Sequence, residues 1–222
     1  MRLGLFGGTF DPVHAGHLDV ARAARKALDL DVVWLVPARE PPHRAIPKAS
    51  AAHRFAMAAM AVAGEDGLRV SDLEMDVAGP SYTVDTLDRL RAGGMQGASV
   101  FVVTGADAFR DIPTWRAFPE LLDQAHFVVI SRPGAPVSDL RQCLPMLADR
   151  MVLPPWQPRA RPGIFLVDVP TAPVSSTDIR RAIAEGAPLK NLVPAGIADH
   201  ISRHGLYASH PLSDGTPERP TA

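Results

Sequence analysis

Apolar residues in this chain fall into short unbroken runs, and between the runs they recur at the spacing of a helix face. Runs of strand length occupy residues 3–6, 32–36, 100–104 and 126–130, and a last one, 164–169, follows a proline-rich segment at 154–162. Residues 16–28, 49–63 and 83–91 carry their apolar positions at helical period. Strands alternating with helices predict βαβ units and a parallel sheet covered on both faces, which is why the strands read as continuous apolar runs. The expected fold is therefore α/β, a doubly wound Rossmann-like parallel sheet flanked by helices. In such sheets ligands sit at the carboxyl ends of the strands.

After residue 170 the pattern shortens to two small helices. Ser175-Ser176-Thr177-Asp178 reads as a helix start, with Ser175 as cap and Asp178 at the capping-box position, and Gly186 with Pro188 closes that helix. A final helix near 195–203 stops at Gly205. The reading is one domain over 1–207, its C-terminal helical part at about 170–207, followed by a polar, turn-rich tail at 208–222 expected to be disordered.

Composition narrows the function classes. With 46% hydrophobic and 21% charged residues the chain can build a real core. A formal net charge of −1 argues against a protein that binds nucleic acid through a broad basic field, so an anionic ligand must be held locally. The single cysteine, Cys143, excludes an internal disulfide and a multi-thiolate zinc site, suits a reducing cytoplasm, and is expected as a small buried hydrophobe. The apolar start of the chain is broken by Gly7 and Gly8 and ended by Asp11, too short for a secretion signal, and no run approaches the length of a membrane span. Whether copies of the chain form a homo-oligomer is left open by the sequence.

The richest chemistry lies between the first strand and first helix, in Gly7-Gly8-Thr9-Phe10-Asp11-Pro12-Val13-His14-Ala15-Gly16-His17. Adjacent glycines let backbone N–H groups approach a phosphate, a helix N-terminus adds donors, and His14 and His17 lie one turn apart on one face. Neither a dinucleotide fingerprint nor a P-loop is present, and the two histidines lack the spacing and third ligand of a zinc site.

The segment Gly7 to Leu18 resembles the H-x-G-H signature of the nucleotidyltransferase superfamily, and Val174-Ser175-Ser176-Thr177-Asp178-Ile179-Arg180 resembles its second, I-S-S-T-x-I-R signature. The likeness narrows to nicotinate-mononucleotide adenylyltransferases through Pro41-Pro42-His43-Arg44, Pro80-Ser81-Tyr82-Thr83, Gly105-Ala106-Asp107, Pro113-Thr114-Trp115, Ser131-Arg132-Pro133-Gly134 and Gly205-Leu206-Tyr207, all in the family's order. It implies transfer of AMP from ATP to nicotinate mononucleotide with release of pyrophosphate, both substrates being small molecules, with no nucleic-acid or membrane partner.

The resemblance also implies roles. His14 and His17 contact the ATP phosphates, and with Arg180 they form the catalytic set, His17 stabilising the transition state. Gly7, Gly8, Thr9, Phe10, Gly105, Asp107, Ser176 and Thr177 complete the ATP site; Asp107 accepts from ribose hydroxyls, or, by residue type alone, caps a helix. Trp115 offers a face to the pyridine ring, Tyr82 and Thr83 carry donors for its substituent, and His43, Arg44 and Arg132 are candidates for the mononucleotide phosphate. Mg²⁺ is expected to arrive with ATP, with no dedicated protein site for a metal. Two departures from the family pattern, Ala38-Arg39-Glu40 and Arg116, touch mononucleotide recognition. A non-catalytic nucleotide sensor and an adenylyltransferase acting on another phosphorylated acceptor remain as alternatives.

Overall fold

Side chains alternate between the two faces of each strand, and here both faces are apolar. In the computed structural model, which describes residues 1–42 and 45–208, the strands are β1 (Leu3–Gly8), β2 (Val32–Pro37), β3 (Leu68–Val70), β4 (Val100–Gly105), β5 (His126–Ile130), β6 (Met151–Val152) and β7 (Ile164–Val167). They form one sheet in the order β3-β2-β1-β4-β5-β7-β6, with every neighbouring pair parallel. Phe101, Val103, Val128, Ile130, Phe165 and Val167 belong to one buried cluster; Val100, Val102, Phe127, Val129, Ile164 and Leu166, the residues between them, belong to another.

Helices α1 (Ala15–Leu28) and α2 (Ala51–Val62) cover the first cluster with Leu18 and Met57, while α3 (Thr83–Ala92), α4 (Ala106–Phe109) and α5 (Leu140–Cys143) cover the second with Leu87, Phe109 and Leu140. The last two helices, α6 (Ser176–Ala184) and α7 (Ala195–Arg203), return to the first face through Ile179, Ile197 and Ile201. As expected of its sequence, α6 begins at a cap: Ser175 Oγ accepts the Asp178 N–H at 3.1 Å and donates to the Asp178 carboxylate at 2.6 Å. Among the described residues no helix is long and apolar enough to cross a membrane.

Differences from the sequence reading are local. β3 and β6 have three and two residues, too few to leave a periodic signal. α2 starts at Ala51 rather than Ala49, because Ser50 takes the cap and accepts the His53 N–H at 3.3 Å. Cys143 is exposed, not buried: α5 is a single turn, and Leu140 and Leu144 take its inward positions. Gly105 caps α4, so Asp107 is not its cap. The tail at 209–222 lies outside the described residues.

The chain runs from β1 to β2 and β3 on one side, then returns to pair β4 on the other side of β1. That reversal opens a crevice between the carboxyl ends of β1 and β4, where doubly wound sheets bind ligands.

His126 opens β5 in the core, 4% exposed and stacked on Phe101 with ring centroids 4.8 Å apart. Burial, helped by the charge of Arg159, lowers its pKa to about 4. The unfolded chain takes up this proton near pH 6.5 and the native chain near 4, so the stabilisation is complete above about pH 6.5 and falls as the solution is acidified. Between pH 7 and 5 the His126 contribution should fall by roughly 1 to 2 kcal/mol. Urea unfolding of the parent and His126→Gln at both pH values checks this; an equal acid loss in the two proteins would refute it.

Candidate active site

Gly7 and Gly8 end β1 at the crevice. A Cβ on Gly7 would meet nothing within 4 Å, whereas one on Gly8 would come within 2.9 Å of the Phe10 ring. Phe10 holds a φ of 50°, in the left-handed region that bulky residues rarely enter, a conformation costing about 1–3 kcal/mol. Its ring, 1% exposed, is wedged between Phe6 and His17 at centroid distances of 5.4 and 4.9 Å, and that packing holds the turn.

His14 is the extended N-cap of α1, and its N–H donates to His17 Nδ1 at 3.2 Å. Nδ1 of His17 is thereby an acceptor, so the hydrogen of the neutral ring sits on Nε2. The two imidazoles stack with centroids 3.7 Å apart. Burial, reinforced by the charge of Arg132, lowers the His14 pKa to about 3, and its Nδ1 has no hydrogen-bond partner among the described residues. His14 is therefore neutral near pH 7. The backbone of the first turn of α1 offers less than the sequence implied, since Ala15 N–H is bonded to Leu192 O and His17 N–H to His14 O.

The second signature comes to the same place. Ser176 Oγ donates to Pro12 O at 2.9 Å across 164 residues of chain, and Arg180 donates to Asp11 O at 2.7 Å and to Thr177 Oγ1 at 3.2 Å. The N–H groups of Ser176 and Thr177, in the first turn of α6, have no intrahelical acceptor. Arg132, just past β5, crosses above Gly105 and Gly16, where a Cβ would strike it at 2.9 Å, and donates to Gly16 O at 3.1 Å. His14, His17, Asp107, Arg132, Ser176 and Arg180 thus line one polar cavity of about 440 Å³.

A second cavity, about 320 Å³, adjoins the first through Thr9. Gly7, Gly8, Tyr82, Thr83, Trp115 and Arg116 line it. Trp115 is half-buried on the second core cluster, its backbone N–H bound to Ile112 O. Arg116 lies 4.9 Å over the Tyr82 ring and pairs with Asp85 at 3.0 Å, which holds its guanidinium at the rim.

Nearly all the described candidates therefore line one of two joined cavities. Phe10 is packed beneath the turn between them, and Gly105, at the end of β4, lies under Asp107 and Arg132. Arg132 joins the histidines rather than Trp115. His43 and Arg44 lie outside the described residues. The roles of four residues were not visible in the sequence. Asp11 is buried and accepts from Lys48 N–H at 2.8 Å, Ala49 N–H at 3.1 Å and Tyr207 OH at 2.8 Å; burial of Tyr207 and the Asp11 charge push its phenol pKa up. Arg54, 1% exposed, donates to Thr9 O at 2.8 Å, Ala38 O at 2.6 Å, Arg39 O at 3.0 Å and Ala49 O at 3.3 Å. Glu74 is buried in the wall of the Trp115 cavity and accepts from Thr86 Oγ1 at 2.5 Å. The one available clue was an arginine among the apolar residues of α2.

A doubly wound sheet whose switch point carries paired histidines, two arginines and a helix start around one polar cavity defines a nucleotide-phosphate-binding protein of the nucleotidyltransferase class. Residues 5–182 match the family model described as cytidylyltransferase-like. The chain is 41% identical over 218 residues to a probable nicotinate-nucleotide adenylyltransferase of Pseudomonas syringae pv. tomato, covering 97% of each chain. It is 42% identical over 207 residues to one of Thermus thermophilus, covering 93% of this chain and 100% of the relative. The same fold occurs in a Plasmodium falciparum nicotinic acid mononucleotide adenylyltransferase complexed with NaAD, at a TM-score of 0.73 and 18% identity over 93% of this chain and 97% of that one. The chain belongs to the nicotinate-nucleotide adenylyltransferase family within the cytidylyltransferase-like proteins.

Replacing Arg54 by leucine strands the buried carbonyl of Ala38 and the part-buried carbonyls of Thr9 and Arg39. Arg54→Leu should lower the unfolding free energy by about 3 kcal/mol, since each stranded buried acceptor costs about 1–3 kcal/mol. Urea unfolding at neutral pH measures it, and a loss below about 1 kcal/mol would show that these carbonyls find other donors.

Proposed function

We propose that this chain transfers the AMP group of ATP to nicotinate mononucleotide, forming nicotinate adenine dinucleotide and releasing pyrophosphate. The observation that carries the reading is the junction at Thr9: a cavity lined by His14, His17, Arg132 and Arg180 adjoins one walled by Tyr82 and Trp115. ATP occupies the histidine cavity and the pyridine ring the aromatic one, which brings the two phosphate groups together between them.

The nucleophile is a phosphate oxygen of the mononucleotide, dianionic at pH 7 because its second pKa is near 6, so no general base is needed. It attacks the α-phosphorus of ATP in line; the bond to the bridging oxygen breaks and the electron pair leaves with pyrophosphate. Positioning and stabilisation of the developing charge carry the rate. His17 presents Nε2–H, the nitrogen left as donor by its bond from His14. Ser176, Thr177, the start of α6, and the guanidinium of Arg180 hold the outer phosphates, and Arg132, a candidate for the mononucleotide phosphate from the sequence, stands beside His14 and joins this group. Asp107, exposed at the mouth, accepts from ribose hydroxyls.

Mg²⁺, when bound with ATP, would neutralise phosphate charge. Of the carboxylates lining that cavity, Asp11 is already committed to three donors and Asp107 stands alone, which fits an ion carried on phosphate oxygens and water. A single free, exposed cysteine suits a reducing cytoplasm as the compartment.

Purified protein with ATP, Mg²⁺ and nicotinate mononucleotide should release pyrophosphate and form the dinucleotide. His17→Ala should lower kcat about a hundredfold to a thousandfold with a smaller effect on ATP binding, the range for losing one preorganised donor. A rise in KM at unchanged kcat would instead assign His17 to uniform binding. ATP binding without turnover of any pyridine mononucleotide would favour a sensor.

The nicotinate substrate should have the higher kcat/KM against nicotinamide mononucleotide. In Arg116→Ala the ratio should change little, because Asp85 already offsets the Arg116 charge. Equal values for the two mononucleotides in the parent would remove the ring preference.

A further inference from the structure

Away from both cavities, three imidazoles converge where α7 packs on α2. His53 stands in the first turn of α2; His200 and His204 are one turn apart at the end of α7, on the same helix face. His53 Nδ1 lies 3.0 Å from His200 Nε2, and the His204 ring is 4.8 Å from that of His53 and 4.4 Å from that of His200. One ring nitrogen from each histidine falls within 4.8 Å of the other two.

This is the spacing of ligands around one ion. Nitrogen binds zinc at about 2.0–2.1 Å, which in a tetrahedron separates two ligand nitrogens by about 3.3 Å. The His53–His200 pair already stands near that distance, and small side-chain rotations bring in His204, which is exposed and free to adjust. Three neutral imidazoles and an open fourth position for water suit zinc, cobalt, nickel or copper; magnesium, which prefers oxygen ligands, does not compete.

We propose that His53, His200 and His204 form a binding site for one divalent transition-metal ion of the zinc type, which clamps α7 onto α2. The clamp bears on the active site by two routes. Arg54, the residue after His53, carries the carbonyls of Thr9, Ala38 and Arg39. Three residues beyond His204, Tyr207 donates to Asp11 in the phosphate turn. The ion thus fixes two supports of that turn without touching substrate, a structural role in which binding adds directly to the stability of the native state.

The test uses the full chain without a histidine tag, stripped with a chelator and titrated with Zn²⁺ by calorimetry, with metal content measured after gel filtration. One zinc per chain is expected, together with a rise in Tm. Co²⁺ in its place should give the visible absorption of a low-symmetry site. His204→Gln and His53→Gln should each weaken Zn²⁺ binding at least tenfold and remove the Tm rise, with far-UV circular dichroism of the stripped proteins unchanged. A His14→Asn/His17→Asn double variant separates the other histidine pair and should retain the bound zinc. The proposal is overturned if the parent binds no stoichiometric zinc, or if binding survives in both glutamine variants. Loss of zinc in the double variant alone would assign the ion to the active site instead. None of these readouts depends on turnover of nicotinate mononucleotide, so failure of either reading leaves the other standing.

Discussion

The turn from Gly7 to His14 leaves backbone polar groups that no strand or helix satisfies, and much of the remaining structure is arranged to satisfy them. Asp11 is the centre of this arrangement. Its carboxylate accepts two backbone N–H groups at the approach to α2 and the hydroxyl of Tyr207, while its carbonyl accepts from Arg180. Arg54 supplies the donors that Thr9, Ala38 and Arg39 lack, and Ser176 supplies one to Pro12. A buried arginine is costly unless its hydrogens are used, and Arg54 uses all three of its nitrogens on main-chain oxygens. The turn is thus held in place because α2, α6 and Tyr207 each bond a different part of it.

That dependence gives the second signature two duties. Ser176 and Arg180 line the polar cavity, and they also bond to the main chain of the first signature. Reorganisation at the moment of reaction is expensive for electrostatic catalysis, so groups already fixed by structural bonds are better phosphate ligands than free ones. The charge balance follows the same logic. A chain of net charge −1 cannot attract two anions by its overall field, and the cationic groups are gathered at one cavity instead: Arg132, Arg180 and Lys48, with the start of α6. His14, buried beside Arg132, avoids adding a further like charge by staying neutral.

The sheet and its major helices were legible in the sequence because each rests on a local period: runs buried on both faces for β1, β2, β4, β5 and β7, and amphipathic spacing for α1, α2 and α3. The two signatures were legible through their resemblance to those of the nucleotidyltransferase superfamily, and the glycines, histidines and serines in them also carry local signals of a turn and a helix start. The supporting roles of Arg54, Glu74 and Tyr207 were not, because their meaning lies in partners as far as 45, 12 and 196 residues away along the chain. Arg132 stands beside His14 rather than Trp115 for a related reason: the residues around it describe a turn, while its position follows from the pairing of β5 with β4. Strands of two or three residues, β6 and β3, carry too little pattern to be seen before the sheet is assembled.

The proposed recognition of a carboxylated ring would depend on the balance of charges around the Trp115 cavity. Glu74, buried in its wall, would repel a carboxylate if it were ionised. Burial raises its pKa and favours the protonated form, against the opposing hydrogen bonds of Thr86 and Ser81 and the charge of Arg89, which hold whatever negative charge remains. At the rim, the charge of Arg116 is offset by Asp85. Beside them lies the start of α3, where the N–H groups of Thr83 and Val84 have no intrahelical acceptor and Asp85, the acid of the first turn, is itself paired with Arg116. A carboxylate can accept from two such donors at once, whereas an amide offers one oxygen and turns its NH₂ toward a site that supplies hydrogens. The preference proposed for the acid form would therefore rest on the main chain of a helix start more than on any side-chain cation.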